Sequence, residues 1–201
     1  MTTVEARTDG RAERSRRTRL TVANAMLNLI NSGELRPTAQ QISESALVSL
    51  RTVFHHFEDM ETLFAAAADI QIERLASLAA QIDDGLPFAA RLGQFVEARA
   101  RLLESISPVR RSAILHEPFS PIIARRLNWN RRFNRDETEH VFAAELRSIP
   151  DETRRMVAPA LHAATEWPCW EALRTHEGLS FQHGSDVMSH TIRALLRKEK
   201  T

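Results

Sequence analysis

Apolar residues recur at intervals of three and four along most of the chain, between breaks marked by proline and glycine. One such stretch has its apolar face at Leu20, Ala23, Leu27 and Ile30, and a later one has it at Leu63, Ala67, Ile70 and Leu78. No run alternates apolar and polar residues between hairpin turns, and tyrosine is absent. The sequence therefore predicts an all-α fold.

The breaks divide the chain into about nine predicted helices. They cover roughly residues 11–32, 38–45, 49–56, 59–83, 87–106, 109–117, 121–147, 151–176 and 180–198. The first three are expected to form, together with an arginine-rich arm, a helix-turn-helix domain over residues 1–57. The remainder, residues 58–201, is expected to be a helical bundle. Pro168 lies inside the eighth helix and is expected to kink it, because proline has no main-chain N–H.

Composition narrows the classes of protein further. The chain has a single cysteine, Cys169, which excludes an internal disulfide framework and a multi-cysteine metal site. No apolar run approaches the about 20 residues that a membrane span requires. The polar start, residues 1–19, lacks the apolar segment of a secretory signal. The expected location is therefore the cytoplasm, with no membrane association, no metal and no other cofactor.

Positive charge is concentrated at the beginning of the chain. The formal net charge is only +1, but residues 1–57 contain eight arginines against five acidic residues. Five of these arginines fall within residues 11–19, beside one glutamate. A cationic end on a nearly neutral body suits a protein that meets an anion, such as DNA, with one end. A solvated tail without a partner is the alternative interpretation of the same pattern.

The most informative stretch is residues 36–64, RPTAQQISESALVSLRTVFHHFEDMETLF. Thr38 is a good N-cap, and Gln41 three residues later completes a capping box. Ser49 provides a second N-cap after a short turn. Val53 and Phe57 lie four residues apart on the next helix, so they are expected to face the core together. Two short capped helices joined by a turn are typical of a helix-turn-helix motif.

Burial of Val53 and Phe57 determines which residues point outward from the second of these helices. The exposed face is then formed by Leu50, Arg51, Thr52 and His55, with His56 on its flank. A narrow cationic helix face fits the major groove of DNA. Arg51 is expected to pair with guanine, and Ser49 and Thr52 are expected to contact phosphate.

This stretch resembles the tetracycline-repressor (TetR) family of bacterial transcriptional regulators. The resemblance runs from about Arg16 to Phe64 and depends on the pattern of the first helix, on PTAQQIS, and on VSLRTVFHHF followed by an acidic helix start and ETLF. It implies that DNA is contacted by Thr38, Ser49, Arg51, Thr52, Phe54, His55 and His56. Arg16 and Arg17, with Arg11 and Arg14, are expected to add contacts from the N-terminal arm, as homeodomain arms do in the minor groove.

The stretch departs from the family pattern at several positions. Leu47 stands where the family commonly has a turn glycine, so either the turn avoids positive φ or a leucine is strained. Phe54 and His56 replace common tyrosines, and Phe54 has no hydroxyl for a phosphate. Met60 replaces a frequent lysine beside Glu58 and Asp59. These changes are expected to weaken phosphate contacts at the start of the fourth helix.

The remaining two thirds of the chain is expected to form a homodimer and to bind a small molecule. A dimer places two recognition helices about 34–36 Å apart on a near-palindromic operator, so some part of the chain has to self-associate. The last two predicted helices are the candidates, since both have apolar faces and the first of them is rich in alanine. Filling the core of one subunit is the alternative role for these faces.

An effector site is expected in the body by the same resemblance, for a hydrophobic or aromatic compound that releases a repressor from its operator. The candidate ligand-binding residues are Arg99, His116, Trp129, Phe133, Trp167 and Trp170. Most of the aromatic residues are expected to be core in any case.

The alternative function is a helical-bundle enzyme or a small-molecule carrier that does not bind DNA. No phosphate loop, nucleophile elbow or array of metal ligands supports it, so the sequence predicts no catalysis. His162 and Glu166 lie four apart but lack a third ligand. The basic, aromatic stretch 125–135, RRLNWNRRFNR, fits a solvated helix face better than a second nucleic-acid surface.

Overall fold

The computed structural model describes residues 3–76 and 82–197. Within these ranges there are ten α-helices, one turn of π-helix and no β-strand, which confirms the all-α prediction. The α-helices are α1 (Thr3–Asn31), α2 (Ala39–Ser45), α3 (Leu50–His56), α4 (Met60–Ala76), α5 (Phe88–His116), α6 (Pro121–Val141), α7 (Ala143–Arg147), α8 (Asp151–Thr165), α9 (Trp167–Glu171) and α10 (Phe181–Leu195), and the π-helical turn is Ala172–His176. In the same two ranges, no helix has both the length and the apolar content needed to cross a bilayer.

The chain divides into two compact units. Unit 1 comprises Met1–Arg74 and Pro108–Arg125, and unit 2 comprises Leu75–Ser107 and Arg126–Thr201. In unit 1, the Arg74 guanidinium of α4 donates to the side-chain oxygen of Asn24 on α1 at 2.5 Å. The Ser112 hydroxyl of α5 donates to the carbonyl of Leu35 at 2.7 Å. The boundary predicted after residue 57 therefore falls inside unit 1, because α4 and the end of α5 are bonded to the helix-turn-helix.

The core of unit 1 contains most of the predicted apolar face of α1. Ala23, Leu27 and Ile30 are buried, but the prediction for Leu20 is wrong, since 44% of its surface is exposed. The inner face of α1 instead includes Val22 and Met26, which are both buried. Leu63 and Ala67 of α4 are buried as predicted, whereas Leu78 lies outside the described residues.

The core of unit 2 is built around aromatic side chains whose polar atoms are satisfied. Trp170 is fully buried, and its indole N–H donates to Oε2 of Glu104 at 2.9 Å. The indole of Trp167, also buried, donates to the Ser107 hydroxyl at 3.0 Å. A buried N–H without a partner would cost about 1–3 kcal/mol, so these bonds allow the tryptophans to serve as core residues.

Three predicted helix boundaries are corrected by the structure. The helices predicted at 87–106 and 109–117 form one helix, α5, which continues through Pro108. Proline removes only one helical hydrogen bond, and buried Leu103 and Val109 hold the helix on either side of it. The helix predicted over 121–147 is broken at Phe142, whose φ of −106° and ψ of 22° are not helical. The first helix begins at Thr3 instead of residue 11.

The predicted kink at Pro168 is also wrong. The chain leaves the helical conformation at Glu166, where φ is −90° and ψ is 158°, and a new helix, α9, begins at Trp167. Pro168 then lies in the first turn of α9, where a main-chain N–H has no helical acceptor. The proline therefore starts a helix here and does not bend one.

A buried glycine of α10 provides a test of how tightly unit 2 is packed. A Cβ atom on Gly184 would lie 3.2 and 3.3 Å from two ring carbons of Trp170. That ring is held by its bond to Glu104 and by edge contact with Phe181 at 5.7 Å, so it has little room to shift. Overpacking costs about 1–3 kcal/mol, against a gain of about 1 kcal/mol in helix propensity. We expect Gly184→Ala to lower the free energy of unfolding by about 1 kcal/mol.

Gly93→Ala is the matched control. Gly93 is an exposed residue inside α5 of the same unit, and a Cβ there would meet no atom within 4 Å. This substitution is expected to raise the free energy of unfolding by up to about 1 kcal/mol. Urea unfolding followed by tryptophan fluorescence measures both, because all three tryptophans lie in unit 2. Equal effects of the two substitutions would contradict the packing described for Gly184.

Candidate nucleic-acid interface

The two short helices of unit 1 begin at the predicted caps. The Thr38 hydroxyl accepts from the Gln41 main-chain N–H at 3.2 Å, and the Gln41 side chain accepts from the Thr38 N–H at 2.7 Å. This reciprocal pair is the predicted capping box of α2. At the start of α3, the Ser49 hydroxyl accepts from the N–H of Thr52 at 3.1 Å. Each helix is therefore initiated by bonds that its own sequence supplies.

Leu47 adopts the left-handed conformation in the turn between α2 and α3, with a φ of 54°. The N–H of Val48 donates to the carbonyl of Ser43, and the N–H of Leu47 donates to that of Glu44. This pattern is a Schellman motif, which usually has glycine at the position of Leu47. The sequence left open whether the turn avoids positive φ or strains the leucine, and the structure shows the strained form. The Leu47 side chain is 93% exposed, so it offsets none of the strain by packing.

Replacing Leu47 by glycine is therefore expected to stabilise unit 1. The left-handed conformation costs a residue with a Cβ about 1 kcal/mol, and part of this gain is offset by the freedom of glycine in the unfolded chain. We expect Leu47→Gly to raise the free energy of unfolding by about 0.5–1 kcal/mol. Leu47→Ala, which keeps the Cβ, is expected to change it little. Urea-dependent amide hydrogen exchange of α2 and α3 measures both, and a destabilised Leu47→Gly protein would contradict the assignment of strain.

One face of α3 is buried and the other is exposed, as predicted. Val53 is 1% exposed and Phe57, the residue that ends the helix, is 2% exposed. The outer face presents Leu50, Arg51, Phe54 and His55, with Thr52 and His56 partly covered at its edges. Leu50 and Phe54 are 40% and 50% exposed, so the outer face combines a cation with apolar surface.

Arg51 is the cation available on this face. Its guanidinium makes no hydrogen bond or ion pair with any residue in the described ranges, so its donors are free for a partner. The hydroxyls of Ser49 and Thr52 lie 2.8 Å apart and share one bond, which leaves one hydroxyl proton of the pair for an external acceptor. The hydroxyl of Thr38 is bonded to Gln41 in the capping box, so its role in this structure is to stabilise the start of α2.

Arg19 of α1 holds the end of α3, and the sequence did not reveal this role. Its guanidinium donates to the main-chain carbonyl of His56 at 2.5 Å and lies 4.2 Å from the centre of the Phe57 ring. The two partners are separated by 37 residues in the chain. A carbonyl acceptor at the C-terminal end of a helix and an aromatic face both favour a cation. Arg19 therefore positions α3 from behind.

His56 remains neutral near pH 7. Partial burial lowers the pKa of His56, and the charges of His55 and Arg19 lower it further. A neutral imidazole has one N–H, so His56 has a single donor for a phosphate or a base edge. The ring of His55 lies 5.2 Å away at a steep angle.

The N-terminal arginines lie on a helix and not on an extended arm. Arg11, Arg14, Arg16 and Arg17 all belong to α1 and are all exposed. Arg16 forms an exposed ion pair with Glu13 at 2.9 Å, a type of pair that contributes little stability. Since Arg16 precedes Arg19 by one helical turn, it lies on the side of α1 that meets the end of α3.

The six candidate ligand residues are divided between the two units. His116 belongs to unit 1, and the other five belong to unit 2. Trp167 and Trp170 are core residues bonded to Ser107 and Glu104. Trp129 and Phe133 stack on each other at 5.5 Å and are 55% and 54% exposed on α6.

Arg99 is enclosed in unit 2 with partners of its own. Its guanidinium donates to Oε2 of Glu137 at 2.5 Å and to the carbonyls of Thr165 and Asn134 at 3.4 and 3.5 Å. Burial lowers the pKa of Arg99, and the carboxylate of Glu137 opposes that shift. The arginine joins α5, α6 and α8 by these bonds, which is a structural role.

Metal-ligating residues do not cluster in the part of the chain that the structure describes. No group of three or more His, Cys, Asp or Glu side chains is arranged to hold an ion there. Nε2 of His162 lies 3.0 Å from Oε1 of Glu139, so its nearest acidic partner is on α6.

Solved transcriptional regulators have the same arrangement of helices. A transcriptional regulator from Rhodococcus sp. Rha1 matches with a TM-score of 0.69 and 18% identity, over 89% of this chain and 95% of that one. A protein assigned to the TetR family from Mesorhizobium loti matches with a TM-score of 0.62 and 22% identity, over 91% and 96%. The chain has the TetR-regulator fold. A TetR-like regulator from another Rhodococcus structure matches with a TM-score of 0.61 and 18% identity, over 90% and 97%.

The TetR-regulator fold extends over nearly the whole chain, so the resemblance seen in residues 16–64 continues structurally into the body. Neither a protein-family model nor a curated protein matches the sequence. At these identities the likeness establishes the fold alone, so function has to be inferred from the side chains of α3.

Proposed function

We propose that the chain is a homodimeric, DNA-binding transcriptional regulator of the TetR family that reads its operator with α3. The observation that carries the proposal is the guanidinium of Arg51 on the outer face of α3, which bonds to none of the residues that the structure describes. Val53 and Phe57 fix that face outward by being buried behind it. Arginine binds guanine through two hydrogen bonds in the major groove, and Leu50 beside it suits the methyl group of thymine.

Phosphate contacts are proposed for the flanks of this surface. Arg16 and Arg17 on α1 are proposed to contact the DNA backbone, together with the hydroxyls of Ser49 and Thr52. Glu58 and Asp59 lie exposed just after α3 and repel phosphate. We therefore expect affinity to fall as salt concentration rises, with a slope set by the few cations of the helix-turn-helix.

The proposed dimer forms through the outer faces of α8 and α10. The apolar faces that the sequence indicated for this role are largely buried within the subunit, as Leu161, Met188 and Ile192 show. These helices pack on each other, and both keep an uncovered side. On α8 it includes Met156, 68% exposed, and Ala163, which is also exposed. On α10 it includes Val187, 38% exposed, and Ala194. Small and apolar residues on two adjacent helices suit a four-helix interface with a second copy.

The proposed regulation is repression that a small hydrophobic or aromatic effector relieves in the cytoplasm. An effector shifts the dimer only as far as its affinities for the DNA-bound and free conformations differ. Binding and not catalysis is the proposed activity, and the solved structures of this fold cited above are described as transcriptional regulators.

Selection of bound duplexes from a random DNA pool tests the proposal. We expect the full chain to enrich a near-palindrome whose half-sites are centred about one helical turn, 10 base pairs, or a multiple of it apart. Size-exclusion chromatography with light scattering of the same sample is expected to show a dimer. A pool without enrichment, or a monomer that binds one unrepeated site, would contradict the proposal.

A further inference from the structure

A cleft of about 200 Å³ lies inside unit 1, next to the segment that leads into α2. Its apolar wall is formed by Met26 of α1, Met60 and Phe64 of α4, and Ile123 of α6. The polar side chains that line it belong to the segment before α2, to α4 and to the end of α5. The cleft is distinct from the outer face of α3 and from the six candidate ligand residues except His116.

Three charged or titratable groups converge on this cleft, Arg36, Glu61 and His116. Burial lowers the pKa of His116, the charge of Arg36 lowers it further, and Glu61 opposes the shift. His116 also lies 5.8 Å from the ring of Phe64, so the polar groups border the apolar wall directly.

Arg36 is the group among these that is left for a ligand. Oε2 of Glu61 accepts a hydrogen bond from the Ser120 hydroxyl at 2.7 Å, which ties that carboxylate to the start of α6. The Arg36 guanidinium makes no hydrogen bond or ion pair with residues 3–76 or 82–197. With His116 neutral near pH 7, the cleft combines the guanidinium of Arg36 with an apolar wall, and the negative charge of Glu61 is held at the bond to Ser120.

The volume of the cleft limits the size of the ligand. An apolar protein cavity of about 150 Å³ takes up benzene, so 200 Å³ suffices for one ring and a small polar group. We propose that this cleft binds a small aromatic monocarboxylate, with its ring against Met26, Phe64 and Ile123 and its carboxylate on Arg36. Arginine forms two parallel bonds to a carboxylate, which gives the site its preference for that group.

The regulatory consequence rests on the proposed function. The ligand would contact both α4 and the segment that leads into α2, so binding favours one position of the α2–α3 pair over others. Its effect on operator affinity then equals the difference between its affinities for the two positions. The binding itself does not require DNA and is tested without it.

Methionine methyl groups provide the test, because the chain has five methionines and two of them line the cleft. The protein is labelled with [methyl-¹³C]methionine and titrated with sodium benzoate in the absence of DNA. Met26 and Met60 are expected to shift and to saturate together. Met188, buried in unit 2, and Met156, exposed on α8, are internal controls that are expected not to move.

Variants and a neutral analogue identify the role of charge. Arg36→Gln is expected to weaken benzoate binding by about tenfold or more, since it removes a charge-assisted hydrogen bond. Arg132→Gln, which changes an exposed arginine of α6, is expected to bind benzoate normally. Benzamide, of the same size without the charge, is expected to bind about tenfold more weakly than benzoate.

Several results would overturn the inference: no shift of Met26 and Met60, equal binding by Arg36→Gln, or equal binding of benzamide. Failure of the benzoate titration would leave the selection of operator DNA as a separate test of the proposed function. Conversely, saturable shifts in a protein that selects no DNA would support the site and contradict the proposed function. Benzoate that saturates the cleft without changing operator affinity would overturn its regulatory role.

Discussion

Phe57→Ala is expected to lower the free energy of unfolding of unit 1 by about 3–5 kcal/mol. The ring is 2% exposed, and its loss removes buried apolar surface and leaves a cavity behind α3. It also removes the aromatic face under the Arg19 guanidinium, 4.2 Å away. Because all tryptophans lie in unit 2, urea-dependent amide hydrogen exchange of residues 39–57 is the appropriate measurement.

Phe54→Ala is the matched control for this experiment. Phe54 is the same residue type, three positions earlier on the same helix, but half of its surface is exposed. Its replacement is expected to cost less than about 1 kcal/mol. A loss as large as that of Phe57→Ala would mean that the outer face of α3 is buried in solution, and the DNA-reading surface would then be assigned to the wrong side.

Arg51→Ala is expected to weaken binding to the selected operator by at least about thirtyfold. A bidentate contact between arginine and guanine contributes about 1–3 kcal/mol of discrimination, and a dimer loses two of them. Because Arg51 is exposed and unpaired within the described residues, its removal is expected to leave stability unchanged. A gel-shift titration at fixed salt concentration measures the change.

Two comparisons distinguish recognition of the base sequence by Arg51 from the attraction of DNA to any positive charge. Arg132→Ala removes an exposed arginine from the other basic stretch, residues 125–135, and is expected to change operator affinity by less than about twofold. Arg51→Ala is also expected to bind operator and unrelated DNA with similar affinity. Undiminished preference for the operator would show that another residue reads the bases.

Local features of the helix-turn-helix were predictable because neighbouring residues determine them. The capping box of Thr38 and Gln41 needs only a spacing of three, and the burial of Val53 with Phe57 needs only a spacing of four. The sequence predicted the position of the strain at Leu47 but not its presence. The sequence marked the position as one where glycine would be usual, but only the structure shows a φ of 54°.

Features that join distant parts of the chain were not predictable from spacing. The bond from Arg19 to His56 connects residues 37 apart, and Arg99 reaches Glu137 across 38 residues. Leu20 fits the apolar period of α1 but is 44% exposed. Proline signals were ambiguous as well, since Pro108 is tolerated inside a helix whereas Pro168 lies in the first turn of one.

The candidate ligand residues show the same limit. Composition identified aromatic side chains that suit a cavity, but the sequence does not show which of them are buried in the core and which are exposed on α6. Trp170 is fully buried and Trp129 is 55% exposed, although both are tryptophans on helices. The cleft beside Arg36 gathers residues from α1, α4, α5 and α6, which no local pattern brings together.

Hydrogen exchange with and without the selected operator tests whether α3 is the element that binds DNA. With DNA bound, amides of residues 49–56 are predicted to exchange more slowly, while those of residues 125–135 are predicted to be unchanged. The same comparison in the Arg51→Ala protein is predicted to show little protection of α3. Protection of residues 125–135 with none at 49–56 would contradict the role proposed for α3, because DNA would then be held by the basic face of α6.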